Sequence, residues 1–234
     1  MPSWCSMIRK VLFLFALAWL PALQAAPPAN IEIVFDVLHN GLAIAEVVEK
    51  LEHDGKTYRA TEIGKGRGAM AFLFQTKRMS RGLITPNGLR PQEFTDERSG
   101  RPPASASFDY AAKTLTMKYK GEPQVQPLPA NPSDRLAFAF QFAFIESPAS
   151  VVTLDLADGR GVSNQVYEPG GRVKIQVPAG EFETLRVVRR PDGPNDRTAE
   201  LWLAPAYGYL PVRILVVEKD GTRTDQVATR VSKP

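Results

Sequence analysis

Cysteine is nearly missing from this sequence. Its one representative, Cys5, precedes an apolar run near the N-terminus, so neither a disulfide framework nor a thiolate metal site can be built. Histidine is almost as scarce: His39 and His53 are the only two, and both H-E-x-x-H and C-x-x-C are absent. Ser147, Ser150 and Ser163 lack the G-x-S-x-G elbow of serine hydrolases. Gly64-Lys65-Gly66-Arg67-Gly68 lacks the spacing of a phosphate-binding loop and reads as a flexible hairpin loop. The carboxylate pairs Asp96/Glu97 and Glu181/Glu183, and the two turn-flanking histidines, read as solvated. No catalytic, cofactor-binding or metal-binding residue can be nominated. A protein that is not an enzyme and carries no cofactor is expected.

A strong charge of one sign is also missing. The net charge of +4 includes Arg9 and Lys10, and the remaining basic residues are interspersed with acids. That pattern excludes a nucleic-acid footprint. Arg9-Lys10, the apolar Val11–Leu20 and the small residues of Ala22–Ala26 form the positive, hydrophobic and cleavage regions of a signal peptide over 1–26. The apolar run is shorter than the about 20 residues a membrane span needs, so no stable transmembrane segment is expected after cleavage. The expected destination is the periplasm, with an uncleaved anchor as the alternative. Residues 27–234 then form a single β-rich domain, with oligomeric state open.

What the chain does have is alternation punctuated by turns. Ile31, Ile33, Phe35 and Val37 alternate with more polar neighbours, and Asn40-Gly41 is the type I′ hairpin signal. Asp54-Gly55, Pro86-Asn87-Gly88, Asp158-Gly159 and Asp220-Gly221 supply further reversals. Short strands joined by tight turns predict an antiparallel sheet. Gly121–Pro132, with four prolines, reads as a crossing segment over the rim, because proline cannot donate to a ladder. Pro169-Gly170-Gly171 reads as a further break. The longest uninterrupted meander runs from Val177 to Ile214.

That meander carries a family resemblance. PAGEFETLRV (178–187) and ELWLAPAYGYLPVRI (200–214) are similar to the C-terminal signature of the domain of unknown function 3108 family of bacterial envelope proteins. Asp134-Arg135-Leu136, Asn40-Gly41 and Gly88-Leu89-Arg90-Pro91 resemble it as well, and the likeness spans roughly 30–232. The resemblance implies secretion, a β-rich fold and no assigned reaction.

One element is ambiguous. In Ser133–Glu146, Phe138, Phe140, Phe142 and Phe144 alternate with Ala137, Ala139, Gln141 and Ala143, which taken alone is a strand pattern. Ser133 as an N-cap and Asp134 in the first turn favour a helix, and the resemblance implies one too. An all-round apolar helix must be buried. The expected fold is therefore mainly β: a curved antiparallel sheet or open β-barrel of about a dozen strands around one short buried helix. Asp134-Arg135 reads as a cap with a charge-assisted bond, or as a polar contact at a pocket mouth. Candidate ligand-lining residues are Phe138, Phe140, Phe142, Phe144, Trp202 and Tyr209. Two functions follow: a binding or carrier module for a lipid-like hydrophobic ligand, or a structural or assembly protein of the envelope that docks a protein partner.

Gly41→Val is expected to destabilise the fold by about 1–3 kcal/mol, because a β-branched residue resists positive φ. A thermal or denaturant melt checks it, and an unchanged midpoint would show that Asn40-Gly41 is not a type I′ turn.

Overall fold

The structure, a computed structural model, describes residues 27–193 and 196–232. The signal-peptide reading of 1–26 and Pro194-Asn195 lie outside these residues. Strands β1 (Asn30–His39), β2 (Leu42–His53), β3 (Thr57–Gly66), β4 (Gln75–Thr85) and β5 (Gly88–Arg98) form a meander. It continues through β6 (Ala104–Asp109), β7 (Thr114–Lys118) and β8 (Gln124–Pro127). A short β9 (Pro132–Asp134) leads into the single helix α1 (Ala137–Gln141). The second meander is β10 (Val152–Ala157), β11 (Val162–Val177), β12 (Gly180–Arg189), β13 (Thr198–Ala204), β14 (Leu210–Val217) and β15 (Arg223–Val231).

All fifteen strands belong to one sheet, in the order β8-β7-β6-β5-β4-β3-β2-β1-β15-β14-β13-β12-β11-β10-β9. The first and last strands, β1 and β15, are hydrogen-bonded neighbours, so the two meanders meet at the middle of the sheet. The expected curved sheet around a short helix is what forms. Asn40 and Gly41 both take positive φ, 48° and 85°, as a type I′ turn requires. Nothing crowds a Cβ at Gly41, so the strain on valine there comes from φ alone.

The sheet curls until β9, its last edge, rests against β5. No backbone ladder joins these two, and side chains make the seam. Ser80 Oγ on β4 donates to Asp134 Oδ2 at 2.5 Å and lies 2.9 Å from the Tyr58 hydroxyl on β3. The Leu89 amide on β5 donates to Gln141 Oε1 at 2.7 Å. Arg160, in the β10–β11 turn, reaches Asp96 on β5 at 3.3 Å. Gln141 also fills the space beside Gly88, whose φ of 103° marks the β4–β5 turn.

Four sequence expectations are corrected. Ser133 is not the helix cap: its hydroxyl is buried without a partner. Asp134 Oδ1 instead accepts from the Leu136 and Ala137 amides, both at 2.8 Å, as an Asx turn does. Gly64 and Gly66 lie within β3 and not in a loop, since a Cβ at Gly64 would fall 2.5 Å from Thr76 Oγ1. The Pro-rich 121–132 segment contains β8, an edge strand where missing donors cost nothing, and leads into β9, which pairs parallel with β10. Pro169-Gly170-Gly171 is a bulge within a continuous β11, because the register with β12 resumes at Arg172.

Two buried clusters fill the concavity. The larger includes Ile33, Phe35, Leu51, Phe94, Phe108 and Phe140. The smaller gathers Phe142, Leu154, Tyr167, Val187, Leu201 and Leu203. Asp134, with no exposed surface, ties the start of α1 to β4. Asp134→Ala is expected to cost about 2–4 kcal/mol, since it orphans two buried amides and removes one partner of the Ser80 hydroxyl, which keeps only Tyr58. Asp134→Asn, which keeps an acceptor for the amides, should cost less. Denaturant unfolding of both variants checks this, and equal losses would show that the acceptor is not what matters.

Candidate functional site

Period-two alternation places every second residue of a strand inside. On β2 that set is Ala45, Val47, Glu49 and Leu51, so Glu49 is carried inward among apolar neighbours. Register then lines up Glu49, Glu62, Arg78 and Asp96 across β2 to β5. This charged row crosses the inner face of the sheet, and its Asp96 and Glu49 carboxyls are shifted in opposite directions.

Arg78 binds both Glu62 oxygens at 2.7 Å and donates from Nε to Asp96 at 3.2 Å. Asp96 also accepts from Arg98 Nε at 2.9 Å and from Arg160. Burial opposes ionisation of Asp96, but the Arg98 hydrogen bond and the charges of Arg78 and Arg98 outweigh it and hold its pKa below the ordinary value. Burial likewise disfavours the charged Arg78, and Glu62 and Asp96 more than reverse that. Glu49 differs. Its Oε2 is buried without a partner. Burial, and secondarily the charge of Glu62, push its pKa up to about 8, so it is largely protonated at neutral pH. The expectation that Asp96 is solvated is therefore wrong: it has no exposed surface.

Opposite this row, α1 leaves a chamber of about 110 Å³. Its apolar wall is Phe138 and Ala139 facing Leu201, Ile214 and Val216. Its polar wall is Glu49, Arg78, Arg135, Gln165, Arg189 and Gln226. A vestibule of about 380 Å³ adjoins it and shares Arg135, Leu156, Gln165 and Arg197 as lining. Arg135 lines both spaces and is exposed to solvent. Desolvation, with the neighbouring charges of Arg78, Arg98 and Arg197, lowers its pKa. A wider groove of about 690 Å³ runs along the seam past Arg90, Tyr110 and Gln141. In it Arg90 stacks on Tyr110 at 3.7 Å, and the Tyr110 hydroxyl donates to the Pro91 carbonyl.

Of the six candidate lining residues, the structure brings Phe138 to the chamber, stacked on Tyr167 at 6.1 Å. Phe140 and Phe142 are fully buried in separate clusters. Phe144 packs edge-on against His53 at 5.2 Å. A helix turns about 100° per residue, so α1 and the turn that follows it spread the four rings that a strand would align. Trp202 is buried beneath the Arg213 guanidinium, 4.7 Å from its ring, and Tyr209 packs on the smaller cluster. His53 is half-buried, with Nε2 3.1 Å from the carbonyls of Pro27 and Pro28, and is not solvated as expected. Among the described residues no group of three or more His, Cys, Asp or Glu is placed to hold a metal ion. No helix among them is long and apolar enough to cross a membrane.

Residues 31–227 match the family described as protein of unknown function DUF3108. The chain belongs to that family. The fold of this DUF3108 member is similar to a β-barrel-like protein of domain of unknown function DUF1849 from Brucella abortus. That likeness has a TM-score of 0.55 at 8% identity and covers 90% of this chain and 100% of the other. A looser likeness, TM-score 0.39 at 13% identity, is to a Bacteroides fragilis protein with a YmcC-like fold, over 87% of this chain and 95% of that one. No curated protein matches the sequence.

The protonated Glu49 gives a pH signature. Folded protein keeps a proton that the unfolded chain releases above about 4.5, so stability falls as pH rises from there through about 8. Asp134, raised by burial from 3.8 to about 6, acts in the same direction over its own window. Glu49→Gln should flatten the fall, gaining about 2–4 kcal/mol on the wild type between pH 4.5 and pH 8. Denaturant unfolding at the two pH values checks it, and parallel pH profiles would refute it.

Proposed function

We propose that this DUF3108 protein is a non-enzymatic binding module of the bacterial envelope, exported to the periplasm, which holds a slender hydrophobic or lipid-like ligand against α1. The observation carrying the reading is the chamber itself. The core is packed elsewhere, and here Phe138 and Ala139 face Leu201, Ile214 and Val216 across open space that continues into a vestibule. The chamber alone is smaller than the ~300–1,000 Å³ of ordinary ligand sites, and with the vestibule the space enters that range. A chain end or slim tail fits the inner part, with the bulkier end at the mouth.

A second reading has its own observation. Phe72 and Leu73 are adjacent between β3 and β4 and are 91% and 70% exposed. Such a tip suits an assembly protein that docks an envelope partner.

Native mass spectrometry of protein from the periplasmic fraction of its own host separates the two. The expected result is a chain starting near residue 26 that carries an added mass extractable into organic solvent. Phe138→Trp, which fills the chamber, should reduce uptake of the neutral dye Nile red by about tenfold or more without lowering the melting temperature. Protein that comes out clean and takes up no dye would remove the carrier reading and leave the assembly reading.

A further inference from the structure

The charges around the chamber do not all have partners. Arg78 is held by Glu62, Arg98 by Asp96, Arg160 by Asp96 and Asp158, and Arg189 by Asp196 at 2.7 Å. Among the described residues, the side chains of Arg135 and Arg197 meet no carboxylate. Both line the junction where chamber and vestibule join. The buried Arg189 also has its Nε without a partner, and it too faces this space. Glu49, which lines the chamber, has its own Oε2 unpartnered. Arg135 is exposed and Arg197 partly so, and the acid that lines the vestibule with them, Asp158, is engaged by Arg160, so both guanidinium forks are free to take an anion.

We propose that Arg135 and Arg197 recognise the anionic head of an amphiphile, a carboxylate or phosphate monoester, whose apolar tail lies against Phe138, Leu201 and Ile214. This rests on the binding-module reading and adds the charge of the ligand to it. Guanidinium forks suit both head groups, because each presents paired oxygens for parallel N–H donors. The two arginines stand at the mouth and the apolar wall lies deeper, which sets the orientation: head outward, tail inward. Three further features support it. The Arg135 pKa is lowered by desolvation and then by the cations around it, which an anion would relieve. Arg189, Arg197 and Arg135 line the chamber together with the Tyr167 ring. That ring carries Phe138 stacked on it.

The test uses the full mature chain and four probes: dodecanoate, dodecyl phosphate, dodecanol and inorganic phosphate, each titrated by calorimetry. Dodecanoate and dodecyl phosphate should bind about tenfold or more tighter than dodecanol, as expected for charge-assisted hydrogen bonds. Arg135→Gln should erase that preference by weakening the two anionic probes, and Arg135→Lys should restore part of it. Melting temperatures of both variants should match the wild type, since Arg135 holds no other group. Equal affinity for acid and alcohol would overturn the proposal and leave the binding module standing. Inorganic phosphate binding as tightly as dodecyl phosphate would overturn it too, showing an ion site without a tail. Failure of all four probes would overturn both readings.

Discussion

The buried centre of the seam is one carboxylate. The edge strand β9 has no ladder to β4 or β5, and Asp134, with no exposed surface, is among the side chains that join them. One oxygen caps the turn into α1 through two amides, and the other takes the Ser80 hydroxyl from β4. The Tyr58 hydroxyl lies beside Ser80 on the next strand, so three elements share one buried hydrogen-bonded chain. Burial raises the Asp134 pKa to about 6, and its three hydrogen bonds work against that rise. Had the group no such partners, its cost in this setting would exceed anything a five-residue helix could return.

The strands and their turns were legible because alternation and turn chemistry are local signals. Asn40-Gly41 needs only its own two residues to specify a type I′ turn, and it forms one. Two kinds of feature were hidden. The first is close approach: Gly64 and Gly66 look like a flexible linker, and only their neighbours reveal that they are strand residues with no room for a side chain. The second is register. The sequence shows Glu49 between Val47 and Leu51 on one face of β2, so its inward direction could have been found from period two. That Glu62, Arg78 and Asp96 stand beside it in one row depends on pairings that no single strand encodes. The helix had the opposite difficulty. Its alternating phenylalanines are a true strand pattern, and tertiary context overrode it: Asp134 caps the turn while Phe140 and Phe142 each find a separate cluster.

The charged row does not follow from stability alone. Replacing a buried ion pair with apolar residues of similar volume is often neutral or stabilising, so a row chosen only for packing would not be expected to retain Glu62, Arg78 and Asp96 together. Its physical consequence lies in the neighbouring groups. The charge of Glu62 helps keep Glu49 protonated, and the charges of Arg78 and Arg98 bear on Arg135. The row thus engages its own charges, while beside the chamber stand one neutral acid, Glu49, and two arginines that meet no carboxylate among the described residues, Arg135 and Arg197. A chamber with one apolar wall and these cations on its other side is polarised, and the register of β2 to β5 contributes to that polarity by setting Glu49 and Arg78 in its wall.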